Sequence, residues 1–149
     1  MSYQRPYVAA RENGKGRYAL DVSGSGHTIA VDEPVENGGD DLGLSPMQLL
    51  AAALASCTTI TLRIFAERKG WPVKVIETRV SHFMTEHEDG LGGAPDRANR
   101  VNVFDCKVMI DGDLDEIRRK EMLTVALHCH VHRILSRESR ITAELVQVG

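Results

Sequence analysis

The stretch from Ser45 to Gly70 constrains the fold more than any other part of this chain. Ser45 is a natural N-cap, Pro46 suits the first helical position, and Gln48 stands where it can complete a capping box. Gly70, followed by Trp71-Pro72, supplies the stop. A helix from Pro46 to Lys69 is therefore predicted, roughly 36 Å long at ~1.5 Å per residue. Its first half is apolar nearly all round and rich in small residues (Ala51, Ala52, Ala53, Ala55, Ser56), so it is expected to be buried. Its second half carries Arg63, Glu67, Arg68 and Lys69 and is expected to emerge into water. A helix apolar on every face needs more cover than one sheet of a subunit this small provides, which predicts a homodimer.

Around that helix the chain reads as strands. Arg17 to Val22 and His27 to Val31 flank Ser23-Gly24-Ser25-Gly26, a hairpin turn. Glu36 to Gly43 is a polar, glycine-rich surface loop. Val73 to His87 and Val101 to Ile110 alternate as strands do, with Phe104, Cys106, Val108 and Ile110 on one face and a loop from Asp89 to Arg100 between them. Asp113 is read as the cap of a second helix with Glu116 at N3, whose apolar side carries Leu114, Ile117, Met122, Val125 and Ala126. Cys129 stands at or near the start of a further helical turn, and Ile141 to Val148 reads as a last strand. This order gives an α+β fold in one domain spanning residues 1–149, without repeats or linkers.

Composition narrows the function. The chain has 149 residues, is 42% hydrophobic and 26% charged, and carries a formal net charge of -3. No basic field points to nucleic acid or to an acidic membrane surface. Met47 to Ala66 is apolar, but Gln48, Arg63 and the threonines make it a buried helix of a water-soluble protein rather than a membrane span. Met1 to Ala10 lacks an apolar core of signal-peptide length, so the expected location is the cytoplasm. Three cysteines are too few, and odd in number, for a disulfide-stapled scaffold.

Two of those cysteines carry the chemistry. Cys57 lies among small apolar residues in the main helix, and Cys129 lies in His128-Cys129-His130-Val131-His132-Arg133-Ile134-Leu135. Near a helix N-terminus, free N–H groups favour a thiolate at Cys129. Brought together, one thiolate can attack an oxidant while the other resolves the product as a disulfide. Cys106, on the apolar face of a strand, is read as core. The histidines around Cys129 are poorly spaced for a metal, so no metal and no cofactor are expected. Arg118-Arg119-Lys120 reads as a solvated face and His82 with Glu86, His87 and Glu88 as a solvated edge.

Ser45-Pro46-Met47-Gln48-Leu49-Leu50 with Cys57 beyond it, and the segment from Cys129 to Leu135, together resemble the OsmC/Ohr family of osmotically inducible and organic-hydroperoxide-resistance proteins. The second segment is similar to the family's Cys-Pro-Val-His-Arg-Thr-Leu, with His130 in place of proline. Ser23-Gly24-Ser25-Gly26-His27 resembles the YhfA-like subfamily. The resemblance implies antiparallel sheets packed around a long buried central helix, in an intertwined homodimer. It implies Cys57 as the peroxidatic thiol, Cys129 as the resolving thiol, an organic hydroperoxide as substrate and a dithiol as reductant. It also implies an arginine from an early loop beside the thiolate; Arg17 or Lys15 is the candidate, with Asn13 also in that stretch. Active members carry a glutamate after the helix-start proline, where this chain has Met47.

The reading is therefore a cysteine-based organic hydroperoxide reductase with peroxiredoxin-like chemistry, whose catalytic residues are Cys57, Cys129 and Arg17. Met47, Leu50 and Leu54 would wall a pocket suited to an organic peroxide. The alternative is a non-catalytic small-molecule binding or redox-sensing module on the same fold. A metal-binding or thiol-carrier protein using the histidine-rich segment is a third reading.

Overall fold

The computed structural model describes residues 6–86 and 100–146. The chain divides into two compact units, residues 1–52 and 53–149, and the long helix begins in the first and runs on through the second.

The first unit holds a three-stranded antiparallel sheet of order β1-β2-β3, with β1 Ala9–Glu12, β2 Leu20–Gly24 and β3 His27–Val31. Gly24 pairs with His27 across a two-residue turn in which Ser25 and Gly26 have φ of 51° and 81°. Both positive values match the primed turns that suit strand twist, and glycine takes the second at no steric penalty. The sheet differs from expectation in two ways: β1 was not legible, and β2 starts at Leu20 rather than Arg17. Beyond β3, Asp32 organises the loop. Its buried carboxylate accepts N–H groups from Glu33 (2.8 Å), Asp40 (3.1 Å) and Leu42 (3.2 Å). Burial works to raise its pKa, but the N–H groups of Leu42, Glu33 and Asp40 prevail and hold it below the ordinary carboxylate value.

Helix α1 spans Pro46–Lys69. The capping box forms in both directions: the Ser45 N–H donates to Gln48 Oε1 (2.8 Å) and the Gln48 N–H to Ser45 Oγ (3.2 Å). At the other end Gly70 has φ 66°. Its N–H reaches the Glu67 carbonyl (3.0 Å), and that of Trp71 the Ala66 carbonyl (3.0 Å), the paired bonds of a Schellman stop.

Burial along α1 is not what the sequence suggested. Its buried residues are Leu54, Thr58, Leu62 and Ala66, one every turn. Met47 is 43% exposed and Leu50 36%, whereas Leu62 and Ala66 are fully buried. The second half is thus the better covered one, because helix α2 (Glu116–Ala126) supplies its cover there. Leu62 and Ala66 form the core with Leu114, Met122 and Ala126, backed by Phe65, Trp71, Val108 and Ile110. By length and apolarity alone α1 could cross a membrane; this packing makes it a core helix.

Strands β4 (Val73–Glu86) and β5 (Arg100–Gly112) form the second sheet, an antiparallel pair. The register shifts between Val73 and Val75 at the start of β4, and there Arg63 donates to the carbonyls of Val73 (2.8 Å) and Lys74 (3.1 Å). Of the loop expected from Asp89 to Arg100, Arg100 instead opens β5, paired with Glu86, and residues 89–99, with His87 and Glu88, lie outside the described residues. Asp115, not Asp113, caps α2 by accepting from the Arg118 N–H (2.8 Å). The cause is β5, which continues to Gly112 and pushes the helix start along the chain. Ile117 is 78% exposed and does not join the apolar side. Arg118 and Lys120 are exposed as expected and pair with Asp115 and Glu116. Arg119 does something else: its guanidinium donates to the carbonyls of Ile110, Gly112 and Leu114 at 3.0 to 3.2 Å.

Helix α3 spans His130–Leu135. The expected strand from Ile141 is absent over residues 141–146, and 147–149 lie outside the described residues. Its alternation is genuine, but a strand needs a partner for its backbone bonds. Ile141 and Leu145, 91% and 99% exposed, have none among the described residues.

Candidate active site

The second unit brings Cys57 and Cys129 together at the start of α3. Cys57 lies on α1 beside the buried stripe and is only partly buried. Cys129 is 1% exposed and occupies the N-cap of α3, with extended backbone (φ -65°, ψ 157°). There its sulfur takes the place of a capping oxygen and accepts the His132 N–H at 3.3 Å. The backbone leads naturally into this position. Met122 and Ala126 anchor α2 in the core, the His128 N–H closes that helix on the Val125 carbonyl (3.0 Å), and the chain then extends for one residue before turning again.

The free N–H groups at the head of α3 face Cys57. Its thiol is pulled below the ordinary cysteine pKa, most of all by the Val131 N–H. Partial burial opposes the shift, while Cys129, the His130 N–H and the Thr61 side chain reinforce it. The result favours a thiolate on a sulfur that sits beside a second thiol, a combination able to react with an oxidant and then close a disulfide.

Cys106 has the opposite character. It is half-buried on β5, opposite Val80, rather than enclosed as a core residue. Burial first, then negative charge at Asp105 and Cys129, pushes its pKa up. Such a thiol is a poor nucleophile at neutral pH.

Arg17 lies in the first unit, in the connection between β1 and β2. Its N–H donates to Asp40 Oδ2 (3.1 Å), and its guanidinium lies 5.2 Å from the centre of the Tyr18 ring. With Glu12, Asp32, Glu33 and Pro46 it lines a cavity of about 260 Å³. In the same connection the Lys15 N–H donates to Asn13 Oδ1 (3.0 Å) and Asn13 Nδ2 to Asp21 Oδ1 (2.9 Å).

Among the described residues no three His, Cys, Asp or Glu side chains converge as a metal site. The histidines near Cys129 have other partners: His128 Nδ1 meets the Thr124 carbonyl (2.7 Å) and His130 Nδ1 accepts from Arg133 (3.2 Å). His82 stacks on Phe104 and bonds Asn102 (2.9 Å).

One residue at this site escaped the sequence reading. Thr58, fully buried, places Oγ1 3.4 Å from the Cys129 sulfur. Its signal was visible in principle, since a polar residue on the buried stripe of a core helix must find a partner.

The fold and the sequence both have counterparts. The family model for OsmC-like proteins matches residues 38–144. A protein from Psychrobacter arcticus, described as osmotic stress induced and of the detoxification response, is 22% identical, with a TM-score of 0.69 over 90% of this chain and 91% of that one. An organic hydroperoxide resistance protein, OsmC, from Legionella pneumophila is 15% identical, with a TM-score of 0.64 over 91% and 92%. One described as an organic hydroperoxide resistance protein from Vibrio cholerae, with captopril bound in one of its active sites, is 18% identical, with a TM-score of 0.59 over 91% and 86%. No curated protein matches the chain. At these identities the structures speak to the fold, which they share: antiparallel sheets with a long central helix. With the family model matching most of its length, the chain belongs to the OsmC-like protein family.

Proposed function

We propose that the protein reduces organic hydroperoxides through Cys57 and Cys129, within a single OsmC-like domain. The observation that carries this reading is the lowered pKa of a partly exposed thiol, Cys57, beside a second thiol at the head of α3. The Cys57 thiolate attacks the distal peroxide oxygen; the O–O bond breaks, the alkoxide leaves and takes a proton as the alcohol, and Cys57 becomes a sulfenic acid. Cys129 then attacks the Cys57 sulfur, water leaves, and a disulfide forms. An external dithiol restores both thiols, as in the reducing cytoplasm. Arg17 is the cation we assign to the thiolate and the departing oxygen. Met47 and Leu50, apolar and exposed on α1, suit an organic peroxide better than hydrogen peroxide; Leu54 is buried and takes no part.

The reaction requires thiolate, so its rate follows the ionisation of Cys57. Oxidation of the reduced protein by cumene hydroperoxide, followed by stopped flow against pH, is expected to reach half its maximum below the ~8.5 of an ordinary cysteine. Thiols unchanged in excess peroxide would overturn the proposal. They would favour instead the binding or redox-sensing module, a reading supported by Met47 in place of the glutamate of active relatives.

We also propose that the protein is a homodimer. Exposed apolar residues on α1 (Met47, Leu50, Ile60, Ile64) and the exposed Ile141, Leu145 and Val146 are the surface such an assembly would cover. Obligate interfaces bury upwards of ~2,000 Å². Light scattering at micromolar concentration is expected to give twice the chain mass, and a folded monomer would contradict the assignment.

A further inference from the structure

Helical threonines commonly turn their hydroxyl to a carbonyl one turn back, as Thr124 does to Lys120 at 3.1 Å. Thr58 does not. Its described side-chain bond is with the Cys129 sulfur, at 3.4 Å, and it is 2% exposed. The same sulfur accepts the His132 N–H at 3.3 Å and is 1% exposed. Cys57 is more open. The two sulfurs of a Cys57–Cys129 disulfide would therefore be unequal: one accessible, the other enclosed between two hydrogen-bond donors.

We propose that Thr58 directs the re-reduction of that disulfide, so that the external thiol attacks Cys57 and Cys129 departs; this rests on the peroxidase reading above. A thiolate of the dithiol attacks Cys57 Sγ, the S–S bond breaks, and its electron pair leaves on Cys129 Sγ. The Thr58 O–H and the His132 N–H donate to that new thiolate, which then takes a proton from water. The second thiolate of the reductant attacks the reductant's own sulfur in the mixed disulfide and releases Cys57. Two electrons pass from the dithiol, which ends as a cyclic disulfide, to the cysteine pair.

The test uses wild type, Thr58→Val, which keeps the branched shape without the hydroxyl, and Thr58→Ser, which keeps the hydroxyl. The disulfide is formed with diamide, which needs no peroxidase activity, and its reduction by dithiothreitol is followed by alkylation and mass spectrometry. Thr58→Val is expected to be reduced about tenfold more slowly, the effect of losing one hydrogen bond to a departing charge. Thr58→Ser should stay within about twofold of wild type, as expected for a hydroxyl effect of this size. In wild type, glutathione should be trapped on Cys57, a measurement that holds even if Thr58→Val fails to fold. Reduction of Thr58→Val at the wild-type rate, a Thr58→Ser as slow as Thr58→Val, or glutathione on Cys129 would each overturn the proposal. Inert thiols toward cumene hydroperoxide, with a diamide disulfide still opened at Cys57 in a Thr58-dependent way, would overturn the peroxidase reading and support this one. Failure to form the disulfide at all would overturn both.

Discussion

Cys57→Ser is expected to consume no organic hydroperoxide beyond the rate seen without protein. A serine oxygen cannot be oxidised to the sulfenic acid on which the cycle depends, and a hydroxyl at this position ionises far less readily than the thiol. The N–H groups of Val131 and His130 that favour the Cys57 thiolate remain, so the loss is chemical rather than structural. Cys129→Ser should fail differently. Cys57 still attacks, one equivalent of peroxide is consumed, and turnover stops with a sulfenic acid that dimedone can trap. Peroxide consumption and dimedone adducts, measured side by side, separate the two roles. Equal activity of Cys57→Ser and wild type would mean that another thiol reacts.

The largest expected effect on stability is at Leu62. This residue is fully buried at the centre of the cluster where α1 meets Leu114, Met122 and Ala126. Leu62→Ala removes its packing atoms and leaves a cavity that neighbouring helices can close only in part. The cost is about 2–5 kcal/mol, a fall in Tm on the order of 10 °C for a chain this size. Ile117→Ala, at a site 78% exposed on α2, should change stability by no more than about 0.5 kcal/mol. Thermal unfolding followed by circular dichroism decides this. A Leu62→Ala protein melting within about 2 °C of wild type would show that this cluster is not the core.

The parts of the fold that were legible are those governed by local chemistry. Ser45, Pro46, Gln48 and Gly70 act within one helical turn of themselves, so the limits of α1 could be read directly. The alternation of Phe104, Cys106, Val108 and Ile110 likewise states which way β5 faces. The misreadings have non-local causes. Which half of α1 is better covered depends on where α2 lands, and in the first half Met47 and Leu50 stay exposed in the single chain. Ile141 to Val146 alternates like a strand, yet strand formation depends on a partner that sequence alone does not supply. Asp113 and Asp115 are equally good caps by residue type, and the length of β5 chooses between them. At the candidate site, Cys57 and Cys129 were visible as motifs. Their juxtaposition and the Thr58 bond exist only once α2 is anchored and the chain turns at His128. Arg17 was named from a resemblance, and its backbone N–H and guanidinium lie beside Asp40 and Tyr18.

The central claim is that Cys57 and Cys129 act as one redox pair. The most direct measurement is peptide mapping of the reduced protein after one equivalent of cumene hydroperoxide at neutral pH. The account predicts a single Cys57–Cys129 disulfide, with Cys106 still free to alkylate. A disulfide that includes Cys106, or three free thiols after prolonged exposure to excess peroxide, would contradict it.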